Sequence, residues 1–407
     1  MALPALALGW LLVASVPPIK YKLSARLDSV VRTPLLTELA PAGTKVVTDL
    51  MVAPRLDSVM YTNRLEWKLS YEPQFWMRQT GVRPTFESLQ SVFTQLEYSL
   101  RRDFRFLAIH TTTFGTFPLD TFQGAGGSAL PVAPIEEAST GSSYTYTETA
   151  VGFVSSLGIK RLNVAGTLGW VVNGLLDPPV RPVKRGDAAY PQQRYPELRV
   201  QSFYGATRRD YFTMLLYGRD VSFSTGNRDA MLQFAPGIQH QFTNLVDVSV
   251  EPGFAVGRVY PRRPDQAPFA FSMPTLDIAL NTPVPIGHHW PVKAKVRARY
   301  LPYMDPLTTQ LIPRGETGVE FKWEGRREAK VTGKLFYSHA LTSGVHRYDD
   351  ETKAEWDALF PLPLGRHLFL QTKGQFRWTH HVVLSTDAVV QWSTSVGLVV
   401  RYDRGRL

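Results

Sequence analysis

Apolar and polar residues alternate along most of this chain with a period of two. Leu65, Trp67, Leu69 and Tyr71 are interleaved with Arg64, Glu66, Lys68, Ser70 and Glu72, the pattern of a strand with one apolar and one polar face. The same period runs through Leu96, Tyr98 and Leu100, through Leu162, Val164, Gly166, Leu168, Trp170 and Val172, and through Val396, Leu398 and Val400. Tight connections such as Arg102-Asp103 and Thr243-Asn244 take turns with long ones rich in Gly, Ser and Pro, 117–143 and 173–196. Further strand pairs are predicted over 198–221, 230–258, 269–303, 316–340 and 354–378, with Val389 to Tyr402 as the last strand. The count is about sixteen strands, each of about nine to fifteen residues, the length of a tilted membrane-spanning strand. The segment 17–58 reads as irregular, with a candidate strand over 44–52, and a hairpin before Val59 would raise the count to about eighteen. Within it Arg26-Leu27-Asp28-Ser29-Val30 recurs as Arg55-Leu56-Asp57-Ser58-Val59. Two copies are too few for a repeat array, so the word is a coincidence or marks two similar strand starts.

Alternation of short turns and long loops, with an even strand count and both barrel ends on the short-turn side, predicts an all-β chain closed into an antiparallel transmembrane β-barrel. A propeller would show a blade-length repeat; a large soluble sandwich is the remaining alternative. Composition narrows this choice. Outside the N-terminus no apolar run reaches the about eighteen residues of a helical span, and a bilayer then leaves only a closed sheet. Charged residues make up 20% and aromatic residues 12%, with 9 Trp and 17 Tyr, a profile suited to a surface between water and lipid. No cysteine is present, which excludes disulfides, thiolate metal sites and Cys nucleophiles. Leu3 to Val16 has the apolar run of a secretory signal peptide, with Val13-Ala14-Ser15 at the cleavage position and no Lys or Arg ahead of it. The expected organisation is a signal peptide over 1–16, the irregular segment 17–58, a barrel over 59–402 and a periplasmic tail over 403–407.

If the apolar parity faces lipid, the polar parity lines a lumen. Lys293, Lys295, Arg297 and Arg299 form the clearest ladder, alternating with Val292, Ala294, Val296, Ala298 and Tyr300. Four like charges on one strand face are costly in a dry core and tolerable in water. Glu320, Lys322, Lys330, Lys334, Lys373 and Arg377 join them as pore-lining candidates, with Glu66, Glu97 and Glu324 as further lumenal acids. The formal net charge of +10 points to an anionic partner such as lipopolysaccharide or an acidic solute, while the dispersion of the basic residues speaks against nucleic acid. Two readings of the ladder stay open: a positive lumen that favours anionic solutes, and cross-strand salt bridges that fill the wall without selecting. Trp67, Tyr71, Trp170, Tyr260, Trp290, Tyr300, Tyr303, Trp323, Trp378 and Tyr402 are candidates for interfacial girdles.

Catalytic signals are sparse, and no enzyme activity is expected. His288-His289 and His380-His381 are adjacent pairs whose side chains point to opposite faces in extended chain. With Asp349-Asp350-Glu351, the second pair would fall on the outer rim, where a barrel hydrolase would place its His and Ser or acid. The acidic cluster lacks the spaced ligands of a defined calcium loop, no phosphate loop is present, and neither metal nor cofactor is expected.

Two resemblances extend this reading. Ser395, Gly397, Val400 and Tyr402 have the spacing of the C-terminal recognition signal of Gram-negative outer-membrane β-barrels, except that Asp403 to Leu407 follow the terminal aromatic. That likeness implies the outer membrane as location and its assembly machinery as a partner. The strand end Leu69-Ser70-Tyr71-Glu72-Pro73 and the short-turn hairpins look similar to large barrels associated with exopolysaccharide export, which implies a polysaccharide among the substrates and a periplasmic export partner. The function expected is a porin-like channel for hydrophilic, anionic solutes or an exported polysaccharide. A barrel hydrolase and a non-conducting surface anchor or adhesin are the alternatives.

Overall fold

A computed structural model describes residues 19–33, 45–78, 85–115, 144–157, 161–175, 192–224, 226–262, 266–285, 291–304, 311–341, 350–365, 367–380 and 389–404. The first strands are β1 (Ile19–Arg32), β2 (Val47–Tyr61), β3 (Leu65–Arg78), β4 (Thr85–Arg101), β5 (Phe104–Gly115) and β6 (Tyr144–Leu157). The next are β7 (Leu162–Leu175), β8 (Gln193–Gly205), β9 (Asp210–Phe223), β10 (Arg228–Gln241), β11 (Asp247–Tyr260) and β12 (Phe269–Pro285). The last are β13 (Pro291–Met304), β14 (Leu311–Glu324), β15 (Lys330–Ala340), β16 (Asp350–Pro361), β17 (Leu368–His380) and β18 (Val389–Arg404). Each strand pairs antiparallel with its neighbours in the chain, and β1 pairs with β18 to close an 18-stranded barrel.

The eighteen-strand alternative is therefore the one realised. The segment before Val59 supplies two strands because the period of two already runs from Tyr21, Leu23, Ala25 and Leu27 against Lys22, Ser24, Arg26 and Asp28. Its two copies of the five-residue word lie on β1 and β2 with the same parity: Arg and Asp point inward, Leu outward. Short connections (62–64, 102–103, 206–209, 242–246, 325–329) gather on one rim with the start of β1 and the end of β18, while 33–46, 116–143 and 176–192 leave the other rim. Of the predicted long loops, 117–143 and 176–191 lie outside the described residues, as do the signal peptide and 405–407; 173–175 belong instead to β7, 193–196 to β8 and 403–404 to β18.

Outward positions carry the apolar belt. Val151, Leu168 and Val396 are 57%, 56% and 55% exposed, and their inward neighbours Ala150, Gly169 and Ser395 are buried. An apolar exterior of this kind is stable only against lipid. Pro54, Pro73, Pro236 and Pro252 face outward and interrupt the ladder where they meet. Pairing lapses, with the register unchanged, between Val52↔Phe75 and Leu56↔Tyr71, beside Pro54 and Pro73, and again between Phe234↔Phe254 and Ile238↔Val250, beside Pro236 and Pro252. Lacking an N–H, proline is tolerated in these breaks. On the outer face Trp356 lies across Gly374, where a Cβ would come within 1.9 Å of the indole; the glycine lets the ring lie flat on the wall. No helix among the described residues is long and apolar enough to cross a membrane.

Candidate pore

The inner wall is built from the polar parity of every strand, and all the pore-lining candidates lie on it. Lys293, Lys295, Arg297 and Arg299 descend β13; Glu320 and Lys322 follow on β14, Lys330 and Lys334 on β15, Lys373 and Arg377 on β17. Strand register decides how these charges meet. Arg297 forks onto Asp277 of β12, and Arg299 meets Glu316 at 2.8 Å. Lys322 bonds Glu324 at 2.6 Å, Arg377 reaches Glu351 at 2.6 Å, and Lys373 stands 3.9 Å from Asp357. Among the described residues, Lys293, Lys295, Lys330 and Lys334 make no ion pair, although Glu320 sits in register with both Lys295 and Lys334. The guanidinium half of the ladder is neutralised by its neighbours; the ammonium half presents free charge to the lumen.

A second charge cluster spans the seam where the barrel closes. Arg26 Nε lies 3.1 Å from Asp28, Arg55 Nε lies 2.9 Å from Asp57, and both arginines turn toward Glu72. The repeated word thus makes one device twice, an Arg–Asp pair two residues apart on the inner face, with Glu72 between the copies. Gly397 of the C-terminal strand belongs here too. It lies opposite Asp28, and a Cβ at that position would fall 1.8 Å from the Asp28 carboxylate, so only glycine leaves room for the acid. Ser395 also faces inward and is buried, whereas Val400 and Tyr402 face out.

Toward the long-connection rim the wall changes character. Arg32 bonds Asp49 at 2.6 Å, Arg78 stands 3.7 Å from Asp49 and 3.0 Å from Glu87, and the Asp49 and Arg78 side chains are 0% exposed. Arg219–Asp229 (3.0 Å) and Arg314–Ser338 (2.8 Å) are buried on the same side. Between them the inner wall turns apolar, with Tyr146, Tyr195, Val221 and Val259 in one cluster and Leu215, Tyr217, Met231 and Leu301 in another. Alternation identifies inward positions but carries no sign that these charges are buried.

Of the girdle candidates, Trp67, Tyr71, Trp170 and Tyr402 are exposed outward. Tyr260 packs beneath the guanidinia of Arg228 and Arg258, and Trp290 lies outside the described residues. Tyr303 is a correction: it is buried on the inner wall, with Arg314 5.7 Å from its ring centroid. The reason is parity, since Tyr303 shares the odd numbering of Lys293 to Arg299 and Tyr300 does not.

At the outer rim His380 stacks on Trp378 and stands 3.9 Å from Asp350, whose carboxylate also accepts bonds from Tyr337 and His339. Glu351 points the other way, to Arg377, so the acidic cluster is split between the two faces. His288, His289, His381 and Asp349 are outside the described residues. Among the described residues no group of three His, Asp or Glu side chains converges in a way that could hold a metal ion.

With no open sheet edge and apolar side chains around its circumference, this chain is an integral β-barrel of the outer-membrane class. It belongs to the EpsX exopolysaccharide export family, whose model matches residues 10–405. Among solved structures it is similar to Pseudomonas aeruginosa OccK2 (OpdF), with 11% identity over 95% of this chain and 98% of that one, at a TM-score of 0.47. Acinetobacter baumannii OccAB4 is similar at 10% identity over 96% and 99% of the two chains, TM-score 0.47. A bacterial polysaccharide outer membrane secretin is similar at 9% identity, covering 93% and 98%, TM-score 0.34. No curated protein sequence matches the chain.

Proposed function

We propose that this barrel is a passive conduit across the Gram-negative outer membrane for an acidic exopolysaccharide. The observation that carries this reading is the free lysine set Lys293, Lys295, Lys330 and Lys334 on the inner wall. Unpaired ammonium groups in a wet lumen hold a positive potential that draws in polyanions. Membership of an exopolysaccharide export family names the cargo class. The remaining pore-lining residues, Arg297, Arg299, Glu320, Lys322, Lys373 and Arg377, act by setting the lumen's shape and local charge. With the short turns in the periplasm, the polymer enters on that rim from a periplasmic export partner and leaves between the long connections. Lipopolysaccharide surrounds the outer rim, and the assembly machinery reads the last strand through Ser395, Gly397, Val400 and Tyr402. Chemistry on the cargo forms no part of this role; the chain is read as a conduit rather than an enzyme.

Planar-bilayer recording of the purified barrel tests the proposal. The expected result is a stable conductance that favours anions, and an absence of current at every voltage would overturn it in favour of a non-conducting anchor. Heat-modifiable migration in detergent gels checks that the protein under test is the folded barrel.

A further inference from the structure

At the short-turn rim, away from the lysine set, the inner wall of β7 to β10 opens into a recess of about 560 Å³ lined by Arg161, Asn163, Phe203, Arg208, Tyr211 and Gln241, among others. This lies within the about 300–1,000 Å³ of small-ligand sites. Its frame is held by main-chain bonds. The Gly205 N–H donates to the Arg161 carbonyl at 2.8 Å, and the Gln241 N–H donates to the Arg209 carbonyl at 2.8 Å. Thr207 Oγ1 accepts from the N–H groups of Arg209 and Asp210 at 3.0 and 2.9 Å. A rim tied in this way fixes the backbone that carries these side chains before any ligand arrives.

The lining combines aromatic rings, amides and guanidinium groups. Phe203 points inward yet is 40% exposed, an aromatic face turned to water on the wall of a lumen. Asn163 uses its carbonyl oxygen to accept from Ser156 at 2.7 Å, leaving its amide N–H groups free; Gln239 donates to Asp247 at 3.0 Å, leaving its carbonyl. Among the described residues, the Tyr211 hydroxyl, the Gln241 amide and the Arg161 and Arg208 guanidinia have no side-chain partner. A sugar ring needs this combination: an apolar face to lie on an aromatic ring, amides around its edge for hydroxyl groups, and a guanidinium fork for a carboxylate.

We infer that the recess is a binding subsite for a carboxylate-bearing pyranose unit, placed where the polymer first meets the barrel. Phe203 and Tyr211 pack against the ring, Asn163, Gln239 and Gln241 bond its hydroxyls, and Arg161 and Arg208 bind the carboxylate. The inference rests on the reading of the chain as a polysaccharide conduit, yet it concerns binding and can fail separately. Gly205 lies at the edge of the recess, and a Cβ there meets nothing nearer than 3.7 Å. A bulky side chain at 205 therefore fills the space without straining the wall.

Isothermal titration of the detergent-solubilised barrel with tetragalacturonic acid, and with cellotetraose as the neutral probe, decides the matter. Saturable binding of the acidic probe is expected, with cellotetraose at least about tenfold weaker, equivalent to about 1.4 kcal/mol. Phe203→Ala and the pair Arg161→Gln with Arg208→Gln should each weaken the acidic probe about tenfold, and Gly205→Trp should abolish binding. Each variant is first shown to be folded by its heat-modifiable migration. Equal affinity for the two probes, no binding by the parent barrel, or unchanged binding in the folded variants would overturn the subsite. Conductance of the same preparations tests the conduit itself: current without binding sinks only the subsite, and binding without current sinks only the conduit.

Discussion

The two halves of the lumen handle charge in opposite ways. Toward the short-turn rim, ionised side chains stand in the open: Lys293 and Lys334 are exposed and Arg105 pairs with Glu97 at 2.6 Å with half its side chain in solvent. Toward the long-connection rim, Arg32, Asp49, Arg78 and Glu87 form a chain of contacts almost entirely withdrawn from solvent. Ionic groups in the first half are free to act on whatever passes, at little cost because water solvates them. In the second half desolvation makes each charge depend on its partner. One wall thus separates a region of solvated, exposed charge from a region where charge serves to hold neighbouring strands together.

The largest test of this contrast is Asp49→Ala. Removing the carboxylate strips Arg32 and Arg78 of their shared partner, and breaking a buried pair costs about 3–5 kcal/mol; urea unfolding of the reconstituted barrel should show a loss of that size. A loss no greater than that of a surface pair would remove the distinction between the halves. Next in size is the combined change Lys293→Gln, Lys295→Gln, Lys330→Gln and Lys334→Gln, which should lower the anion-to-cation permeability ratio severalfold in reversal-potential measurements. Because these lysines carry no ion pair among the described residues, stability should stay within about 0.5 kcal/mol of the parent. Unchanged selectivity would show that the free charge does not reach the permeating ions. The smallest effect belongs to Arg105→Ala, which breaks the exposed contact with Glu97 and should cost less than about 1 kcal/mol. That loss should shrink further at about 1 M salt, where the screening length is about 3 Å.

Much of the architecture was legible because a barrel strand writes its two faces into alternate residues. Parity alone groups the lysine and arginine ladder of β13 with Lys322, Lys330, Lys334, Lys373 and Arg377, and strand register carries that shared face from β13 to β17. The girdle expectation fails at Tyr303, which sits three residues from Tyr300 and so cannot share its face. The strands before Val59 were harder to see because Pro54 and the mixed charges obscure an alternation that is present from Ile19. The recess of β7 to β10 left no signal, since its lining is drawn from several strands and a turn that no spacing rule connects.

By itself, the sequence determined the strand period, which face meets lipid, the alternation of short and long connections and the basic character of one strand's inner face. These are properties of residues close along the chain, governed by the two-residue repeat of extended backbone. Tertiary structure alone decided which charges neutralise each other, because that depends on register between strands. Arg297 meets Asp277, while Lys295 beside it in the ladder stays free. Closure of β18 on β1 likewise placed Gly397 against Asp28. That contact joins residues from opposite ends of the described chain, and no local pattern encodes it.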